Sequence, residues 1–470
     1  MAEAKEYDLI VVGTGPGGYV AAVRAVQLGF TVACVEKEAR PGGVCLNVGC
    51  IPSKALLDSS EHFIQAKEKF QDHGIRFEGI SFDLTAMMKR KDKVVADLTD
   101  QVRKLLERNA IDIVSGTASL AGPHEVAVIT EGGGERILKA KNILLATGSA
   151  PIEVPGQAFD GKVIVDSTGA LSFDAVPDHL VVVGGGYIGL ELGSVWRRLG
   201  AAVTVVEMLP RIAATLDGHV NRALERVLKK QGMTFHLNTR VSGAEVKDGK
   251  AAVTIEGKDG SSTLACDRVL VAVGRRPLTR GLNLEPVGVE TDERTGHVRV
   301  NSRYQTRVDS IYAVGDLIPG PALAHKASAE GVAAVENMAG IPGEVNYDAL
   351  PAVVYTWPEA ASVGITEETA KERKIPYCTG TYPFSGAARA RCMGETEGFV
   401  KLICHSRTDR ILGVHILGPH AAEMIAECVL AMEFGAGSED IARAVHGHPT
   451  LSEALMEAAQ AARKCSIYTS

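Results

Sequence analysis

The chain has 470 residues, of which 46% are hydrophobic and 23% are charged, and its formal net charge is −7. At roughly 150 residues per domain, this length predicts about three globular domains, and the composition excludes a wholly disordered or fibrous protein. Charges of both signs are interspersed and no apolar run approaches the ~20 residues of a membrane span, so neither nucleic acid nor a bilayer is an expected partner.

A buried strand followed by a glycine-rich turn opens the chain. Residues 7–13 predict the strand, residues 19–28 a helix and residues 31–36 a second strand. The turn contains G-x-G-x-x-G and an acid ends the second strand, at Gly13, Gly15, Gly18 and Glu36. Such a unit brings helix amides to a pyrophosphate and a carboxylate to ribose hydroxyls, so it predicts a dinucleotide site. The alternative is that the glycines only shape the turn.

Cys45 and Cys50 follow directly, in the run GGVCLNVGCIPSK of residues 42–54. The other seven of the nine cysteines are scattered, as in a reducing compartment, where a close pair is more often catalytic or metal-binding than structural. Zinc usually takes four ligands, and no second Cys or His pair of suitable spacing lies nearby, so no metal is expected. Five residues of regular helix rise roughly 7.5 Å, beyond the ~4.4–6.8 Å Cα separation of a disulfide. The turn at Gly49 should therefore be distorted, and the pair is predicted to be redox-active.

A polar stretch with helical periodicity, residues 59–110, separates this motif from a repeat of the first unit. Before the repeat, residues 142–148 predict a buried strand that ends in a turn at Gly148. Residues 179–207 repeat the strand, turn, helix, strand and acid, with Gly184, Gly186, Gly189 and Glu207. Glycine and acid have the same spacing in both copies, so the duplication predicts two dinucleotide sites. The acid of the second copy favours NAD over NADP, although Arg211 could weaken this preference.

The remaining elements indicate a further strand of the same kind and then a separate domain. Residues 269–277 close the second copy, with Gly274 after a buried strand, and residues 311–316 predict a third such strand before a helix. After residue 347 the pattern changes to shorter strands and helices, at 352–356, 399–404, 421–434 and 451–462. This change in the length and pattern of the predicted elements indicates a separate C-terminal domain.

The C-terminal segment offers a base for thiol exchange, which needs one because the thiolate and not the thiol attacks sulfur. Residues 446–453, HGHPTLSE, place His448 beside a proline and close to Glu453, a carboxylate that could orient the imidazole. Taken alone, a histidine near a helix start is more often a cap or a packing residue. The residues by themselves leave both interpretations open.

Together these motifs resemble the pyridine nucleotide–disulfide oxidoreductases over nearly the whole chain. The resemblance rests on the two glycine motifs, on residues 43–54, on TRVDSIYAVGD at 306–316 and on HPTLSE at 448–453. It implies an α/β fold with two Rossmann-like, glutathione-reductase-like domains for FAD and NAD, and an α+β C-terminal dimerisation domain. The implied division has a FAD-binding domain at 1–150 and an NAD-binding domain at 151–280. A central segment at 281–346 completes the FAD site, and an interface domain follows at 347–470.

The resemblance also assigns cofactor-binding residues. FAD would be held by the first glycine motif and its acid, by Lys54 near the flavin ring and by Asp316 near the ribityl and phosphate groups. NAD would be held by the second motif and its acid, with Tyr187 covering the flavin until nicotinamide displaces it and Glu191 beside the nicotinamide. Further cofactor contacts are expected at Gly148, Gly274 and Ala324.

For catalysis, Cys45 resembles the thiol that exchanges with substrate and Cys50 the thiol in charge-transfer contact with the flavin. His448, oriented by Glu453, resembles the general acid–base, which in this family reaches the disulfide of the other subunit. The resemblance therefore implies a homodimer that oxidises dihydrolipoamide and delivers hydride to NAD+. Its implied partners are lipoyl groups on a dihydrolipoyl acyltransferase or a glycine-cleavage carrier protein, in bacterial cytoplasm or, after removal of a targeting segment, in the mitochondrial matrix.

Related flavoproteins are the competing functions. Glutathione-type reductases usually prefer NADP, which Glu207 disfavours. A mercuric reductase would bring a C-terminal Cys-Cys pair, whereas here only Cys465 stands near the end. An NADH oxidase or diaphorase that ignores dithiols would leave the cysteine pair and His448 without a role.

Overall fold

A computed structural model describes residues 5–130, 132–258 and 260–468. Its strands, in chain order, are β1 Glu6–Val12, β2 Val32–Glu36, β3 Asp112–Ser115, β4 Thr117–Gly122, β5 Glu125–Ile129, β6 Glu135–Leu145, β7 Ser149–Pro151, β8 Ile164–Val165, β9 His179–Val183, β10 Ala202–Val206, β11 Met233–His236, β12 Arg240–Lys247, β13 Lys250–Gly257, β14 Gly260–Cys266, β15 Arg268–Val271, β16 Arg275–Pro277, β17 Ile311–Ala313, β18 Ala352–Val354, β19 Glu359–Gly364, β20 Tyr377–Pro383, β21 Phe399–His405 and β22 Ile411–Gly418.

The α-helices are α1 Pro16–Gln27, α2 Gly43–Val48, α3 Cys50–Glu68, α4 Leu84–Arg108, α5 Ser167–Ala170, α6 Tyr187–Arg198, α7 Gly218–Lys230, α8 Leu284–Val287, α9 Ala324–Met338, α10 Glu367–Glu372, α11 Ala388–Met393, α12 Ala421–Glu433, α13 Ser438–Arg443 and α14 Glu453–Ala462. Short 3₁₀ turns occur at Phe70–His73, Gly315–Leu317, Tyr347–Ala349 and Phe384–Gly386. Within the described stretches, no helix is both long and apolar enough to cross a membrane.

The chain divides into two compact units, each assembled from three separate stretches. The first unit contains Met1–Ala55, Ala86–Ile152 and Gly274–Val345. The second unit contains Leu56–Thr85, Glu153–Val273 and Asn346–Ser470. The four-part domain division given above stays a prediction.

The first unit is built on a sheet in the order β3-β2-β1-β6-β5-β4, with β17 paired to the end of β6. Strands β1, β2, β3, β6 and β17 run parallel, whereas β5 pairs antiparallel with both β6 and β4. The apolar strands β1 and β2 are buried, and α1 packs on them and on α9. The carboxyl ends of the parallel strands therefore share one edge of the sheet, which is where Gly13, Glu36 and Asp316 are placed.

The second unit contains a parallel sheet in the order β11-β10-β9-β15-β8 and a three-stranded antiparallel sheet, β12-β13-β14. It also contains a five-stranded antiparallel sheet in the order β18-β19-β22-β21-β20. Helix α12 packs against β19 and β22, and α14 packs against β20 and β21, around an apolar core. Gly184 and Glu207 directly follow β9 and β10; in the first unit, Gly13 directly follows β1 and Glu36 is the last residue of β2.

The predicted duplication is confirmed, because β1-α1-β2 and β9-α6-β10 are both parallel strand–helix–strand units. Several boundaries differ from the prediction, among them the starts of two helices. Helix α1 begins at Pro16, ahead of the predicted start, because proline has a helical φ and needs no amide partner in the first turn. Helix α3 begins at Cys50, so the helical stretch predicted from residue 59 begins within the cysteine motif.

Candidate active site

The two cysteines of the motif lie at a break between two helices. Helix α2 ends at Val48 and α3 begins at Cys50, and between them Gly49 has φ −135° and ψ −111°. A Cβ on residue 49 would lie 2.9 Å from the carbonyl oxygen of Val44 and 3.3 Å from Cα of Cys45. The backbone leaves helical geometry at this point, so the predicted distortion at Gly49 is confirmed.

Both cysteines are thiols in this structure, with Cys45 partly buried and Cys50 exposed. The pKa of Cys45 is raised by its hydrogen bond to Cys50, by burial and by the charge that Cys50 carries when ionised. The Lys54 ammonium group, one turn further along α3, opposes that rise. In the reduced pair, the Cys45 thiol is therefore harder to deprotonate than an ordinary cysteine.

Both glycine motifs form the same tight turn. Gly13 and Gly184 have φ of +97° and +106°, a left-handed conformation that favours glycine. A Cβ on Gly18 would lie 1.9 Å from the carbonyl oxygen of Gly13, and one on Gly189 would lie 2.3 Å from that of Gly184. The third glycine of each motif therefore allows the following helix to pack directly against the turn.

The acids at the carboxyl ends of β2 and β10 make matching hydrogen bonds with these turns. Glu36 Oε2 accepts from the Thr14 amide at 2.9 Å, and Oε1 accepts from the amide two residues further on at 3.0 Å. Glu207 Oε2 accepts from the Gly185 amide at 2.6 Å, and its Oε1 accepts from the amide two residues further on at 2.7 Å. Each carboxylate keeps lone pairs that ribose hydroxyls could use.

The two turns also fit a pyrophosphate group. The middle glycines, Gly15 and Gly186, are the N-cap residues of α1 and α6. The nearest heavy atom would be 3.9 Å from a Cβ on Gly15, and a Cβ on Gly186 would have none within 4 Å. The backbone at each N-cap therefore has room beside it for a phosphate group, which a helix N-terminus binds. The residues present fit one dinucleotide in each unit.

Asp316 follows β17 and accepts a hydrogen bond from the Ser149 hydroxyl. Arg275 in turn binds Ser149, through Nε to Oγ at 2.7 Å and through Nη2 to the carbonyl oxygen at 2.6 Å. Gly148 and Gly274, two of the predicted cofactor contacts, stand directly before Ser149 and Arg275. Gly274 thus belongs to the first unit, with the predicted FAD residues, and not to the unit that contains the second glycine motif.

A buried ion pair fixes the turn that presents Asp316. Lys326 Nζ lies 2.9 Å from Glu330 Oε1, and their side chains are 1% and 0% exposed. Lys326 donates to the Gly315 carbonyl oxygen at 3.1 Å, and the Gly315 amide donates to Glu330 Oε2 at 2.8 Å. Ala324, a predicted contact, is the first residue of the same helix, α9. The sequence reasoning missed this pair.

In the second unit, Tyr187 and Glu191 stand one turn apart on α6. Tyr187 begins the helix, and its hydroxyl is hydrogen-bonded to Thr215 Oγ1 at 2.7 Å. Burial raises the pKa of Tyr187, so the phenol is neutral. Glu191 is buried and accepts from the Tyr355 amide at 3.0 Å. Both residues therefore belong to the same helix N-terminus as the second glycine motif.

Two histidines before α14 are each paired with a glutamate, but only one is open to solvent. The His446 side chain is 7% exposed, and its ring nitrogens lie 2.9 Å from the Ala444 carbonyl oxygen and 2.8 Å from Glu427. The His448 side chain is 72% exposed, and its Nδ1 lies 2.8 Å from Glu453 Oε1. His448 is therefore the histidine that a substrate could reach.

Glu453 is the first residue of α14, and its second carboxylate oxygen accepts from the Thr450 amide at 2.8 Å. Burial raises its pKa, but the hydrogen bonds from Thr450 and His448 outweigh burial, so the pKa of Glu453 is below its usual value. Glu453 is therefore ionised at neutral pH. It holds the Nδ1 side of the His448 ring and leaves Nε2 for proton transfer.

The two glycine motifs, the cysteine pair and the exposed histidine together fit electron exchange between two dinucleotides and a dithiol. Residues 7–331 match the family model of the pyridine nucleotide-disulphide oxidoreductases, and residues 350–459 match that of the family's dimerisation domain. The chain therefore belongs to this family, whose members use FAD and NAD, and the predicted fold class is confirmed.

Dihydrolipoyl dehydrogenases are among the similar proteins. The mitochondrial enzyme of Pisum sativum is 49% identical over 97% of this chain and 91% of its own length, and that of Homo sapiens is 48% identical over 97% and 90%. A leghemoglobin reductase of Glycine max is 49% identical over 97% and 87%. Among solved structures, LpdA from Mycobacterium tuberculosis has a TM-score of 0.89 and 27% identity, covering 96% of this chain and 99% of that chain. The HOCl-induced flavoprotein disulfide reductase RclA from Escherichia coli has a TM-score of 0.85 and 28% identity, with 97% and 99% covered.

The helix break at Gly49 gives a first testable prediction. We expect Gly49→Ala to lower dithiol turnover roughly 10²-fold, because a Cβ there would displace Val44 and Cys45 and change the separation of the two sulfurs. Steady-state kinetics measure the effect, and flavin absorbance checks the fold. The matched control is Gly243→Ala, since a Cβ on that strand residue has no heavy atom within 4 Å. Equal rates in both variants would show that the break does not set the geometry of the pair.

The buried pair behind Asp316 gives a second prediction. We expect Lys326→Met to destabilise the protein by about 3–5 kcal/mol and to weaken FAD retention, because it leaves the Glu330 carboxylate buried without its cation. Thermal unfolding and the ratio of flavin to protein measure the two effects. The double variant Lys326→Met/Glu330→Leu should recover much of the stability, and Lys104→Met, which breaks the exposed pair with Asp100, should change little. A double variant no more stable than Lys326→Met would contradict this account.

Proposed function

We propose that this enzyme oxidises dihydrolipoamide to lipoamide, with NAD+ as the final electron acceptor. The observation that carries the proposal is a redox-competent cysteine pair and an exposed His448–Glu453 pair within one chain. Support also comes from the relatives named dihydrolipoyl dehydrogenase, which cover nearly the whole chain. A flavoprotein that ignores dithiols would need neither of these pairs.

In the proposed reaction, His448 Nε2 takes the proton from one substrate thiol, and Glu453 stabilises the imidazolium that results. The substrate thiolate attacks Cys45 Sγ, forming a mixed disulfide and releasing Cys50 as the thiolate. The second thiol of the substrate then attacks the substrate sulfur that is bonded to Cys45. The disulfide of lipoamide forms, lipoamide leaves and Cys45 is reduced. Bound FAD supplies the acceptor for the electron pair of the dithiol and the hydride donor for NAD+.

The cofactor-binding roles follow the same proposal. The first glycine motif with Glu36, together with Lys54 and Asp316, would hold FAD in the first unit, near Gly148 and Ala324. Gly274, which closes the second copy, is a further proposed cofactor contact. The second motif with Glu207 would hold NAD in the second unit, with Tyr187 and Glu191 beside the nicotinamide. Glu207 binds two backbone amides and would accept ribose hydroxyls, which supports NAD rather than NADP.

The dimerisation domain supports a homodimer as the active form. We propose that His448 of one subunit serves the Cys45–Cys50 pair of the other, and that lipoyl groups on an acyltransferase or a glycine-cleavage carrier protein are the substrates. The compartment would be bacterial cytoplasm or mitochondrial matrix, and the relatives named mitochondrial support the second.

Anaerobic titration of the purified holoenzyme with dihydrolipoamide, followed by NAD+, tests the proposal. We expect a long-wavelength thiolate-to-flavin absorbance to form and then to disappear as NADH accumulates. Repeating the second step with NADP+ should give little NADPH. A flavin that stays oxidised with dihydrolipoamide, yet is reduced by NADH or NADPH, would contradict the substrate and point to another disulfide or acceptor.

A further inference from the structure

Cys378 and Cys404 face each other on adjacent antiparallel strands of the second unit. The register of β20 with β21 places Cys378 opposite Cys404. Two residue pairs further along the same ladder, Pro376 lies opposite Ser406, and the Ser406 amide donates to the Pro376 carbonyl oxygen at 2.9 Å. Because hydrogen-bonded and non-hydrogen-bonded pairs alternate, the two cysteines occupy a hydrogen-bonded pair, with Cα atoms about 5.5 Å apart. That separation is within the ~4.4–6.8 Å range of disulfides.

The two side chains also meet on the same face of the sheet, since directly opposite residues point the same way. Cys404 is fully buried in the core that α14 covers, and Cys378 is partly buried against that core. The Cys378 thiol donates to the Cys404 carbonyl oxygen, with the sulfur 3.7 Å from that oxygen. Side chains of directly opposite residues on one face lie side by side, so the two thiols are neighbours in the reduced protein.

Burial and charge identify Cys378 as the cysteine that reacts first. Burial and Asp409 raise the pKa of Cys378, whereas the Lys464 ammonium group opposes the rise. Burial raises the pKa of Cys404 to about 12. The less buried thiol is also the one closer to ionisation, so exchange should begin at Cys378 and accelerate at alkaline pH.

We propose that Cys378 and Cys404 form a second dithiol–disulfide site, which a low-molecular-weight disulfide oxidises reversibly. The Cys378 thiolate attacks one sulfur of the small disulfide R–S–S–R, breaks its S–S bond and forms a mixed disulfide, and the released thiolate takes up the proton that Cys378 lost. Cys404 then gives its proton to the second leaving thiolate and bonds to Cys378. Two protein thiols are oxidised and one disulfide is reduced to two thiols, so electrons and protons balance without another oxidant.

Peptide mapping of the holoenzyme after treatment with hydroxyethyl disulfide tests this site. The reaction is run at about pH 8.5, near the ordinary cysteine pKa, and stopped by alkylation before trypsin digestion. Trypsin places Cys378 in the peptide 375–389 and Cys404 in the peptide 402–407. We expect one species that joins these peptides, lighter than their sum by two hydrogens, and its loss on treatment with dithiothreitol. The peptide 38–54, which contains Cys45 and Cys50, is the internal positive control.

Single variants separate the two steps. Cys404→Ser can begin the exchange but not complete it, so the mixed disulfide on peptide 375–389 should accumulate about tenfold or more over wild type. Cys378→Ser should leave Cys404 unmodified, and Cys392→Ser, at an exposed cysteine on α11, should not affect the link. If a variant fails to fold, the peptide map of the wild-type protein alone tests the proposal. A stable mixed disulfide at Cys378 without the link, a link to Cys465, or reaction at Cys392 alone would each overturn the proposal.

Discussion

Cys45→Ser is expected to lower dithiol-dependent NAD+ reduction by about 10³-fold or more while the purified protein stays yellow. The reason is that the substrate thiolate has no sulfur to attack when residue 45 carries a hydroxyl, whereas no FAD-binding residue proposed above is changed. The measurement is NADH formation from dihydrolipoamide under anaerobic conditions. Cys392→Ser, which changes an exposed cysteine outside the motif, is the control and should keep full activity.

A second readout separates loss of chemistry from loss of structure. Transfer of electrons from NADH to ferricyanide does not require the cysteine pair, so it should persist in Cys45→Ser. Dithiol turnover by the wild type separates this enzyme from a diaphorase, in which that turnover would be absent. Unchanged lipoamide turnover in Cys45→Ser would contradict the proposed mechanism.

The two cysteines should differ in their spectra. The hydrogen bond to Cys50 and burial raise the pKa of Cys45, and Cys50 is the thiol proposed above to be released as the thiolate. Cys45→Ser should therefore retain a long-wavelength thiolate-to-flavin absorbance, and Cys50→Ser should lack it. The opposite result would exchange the proposed roles of the two residues.

The duplicated unit could be predicted from sequence because its signals are local. Glycines at fixed spacing, apolar strands and an acid at the end of the next strand appear twice, and the structure gives both copies the same hydrogen bonds at Glu36 and Glu207. The distortion at Gly49 was equally local, because it followed from helical rise and disulfide geometry alone.

The turn that presents Asp316 was not predictable in the same way. Lys326 and Glu330 have the spacing of an ordinary surface ion pair on a helix, and only the packing of α9 shows that both are buried. Ser149 and Arg275 contact each other because β7 pairs with β16, strands that are far apart in the chain. Long-range pairing of this kind leaves no periodic signal in a single sequence.

The choice between His446 and His448 also needed the structure. Both have a glutamate partner, but the partner of His446 lies on a different helix, α12, and that ring is buried. The partner of His448 is close in sequence, and the ring is exposed. Sequence identified the motif, whereas burial identified the accessible base.

His448→Gln is expected to lower dithiol turnover roughly 10²–10⁴-fold, because the substrate thiol loses its general base. Glu453→Gln should cost less, since the histidine remains. Its effect should fall on dithiol turnover and leave electron transfer from NADH to ferricyanide unchanged, because the carboxylate contacts only the His448 ring among the proposed catalytic residues. His73→Gln, at an exposed histidine, is the control. Dithiol turnover by Glu453→Gln at the wild-type rate would contradict the proposed role of the carboxylate.

Glu453 should also contribute to stability in a defined pH range. Its folded-state pKa is lower than the ordinary value of 4.5, so the ionised form stabilises the folded protein above that pH, and the contribution is lost as the pH falls below it. Denaturation of wild type and Glu453→Gln at neutral and acidic pH measures this difference. The two proteins should be closer in stability at acidic than at neutral pH.

Mixed dimers test whether the site is shared between subunits. Cys45→Ser and His448→Gln should each be inactive as homodimers. If His448 of one subunit serves the cysteine pair of the other, a dimer with one copy of each variant has one intact site and one doubly defective site. Equal mixing with free exchange of subunits makes half of the dimers hybrid, so about a quarter of wild-type activity should return. If each subunit used its own histidine, every site would carry one defect and the mixture would stay inactive.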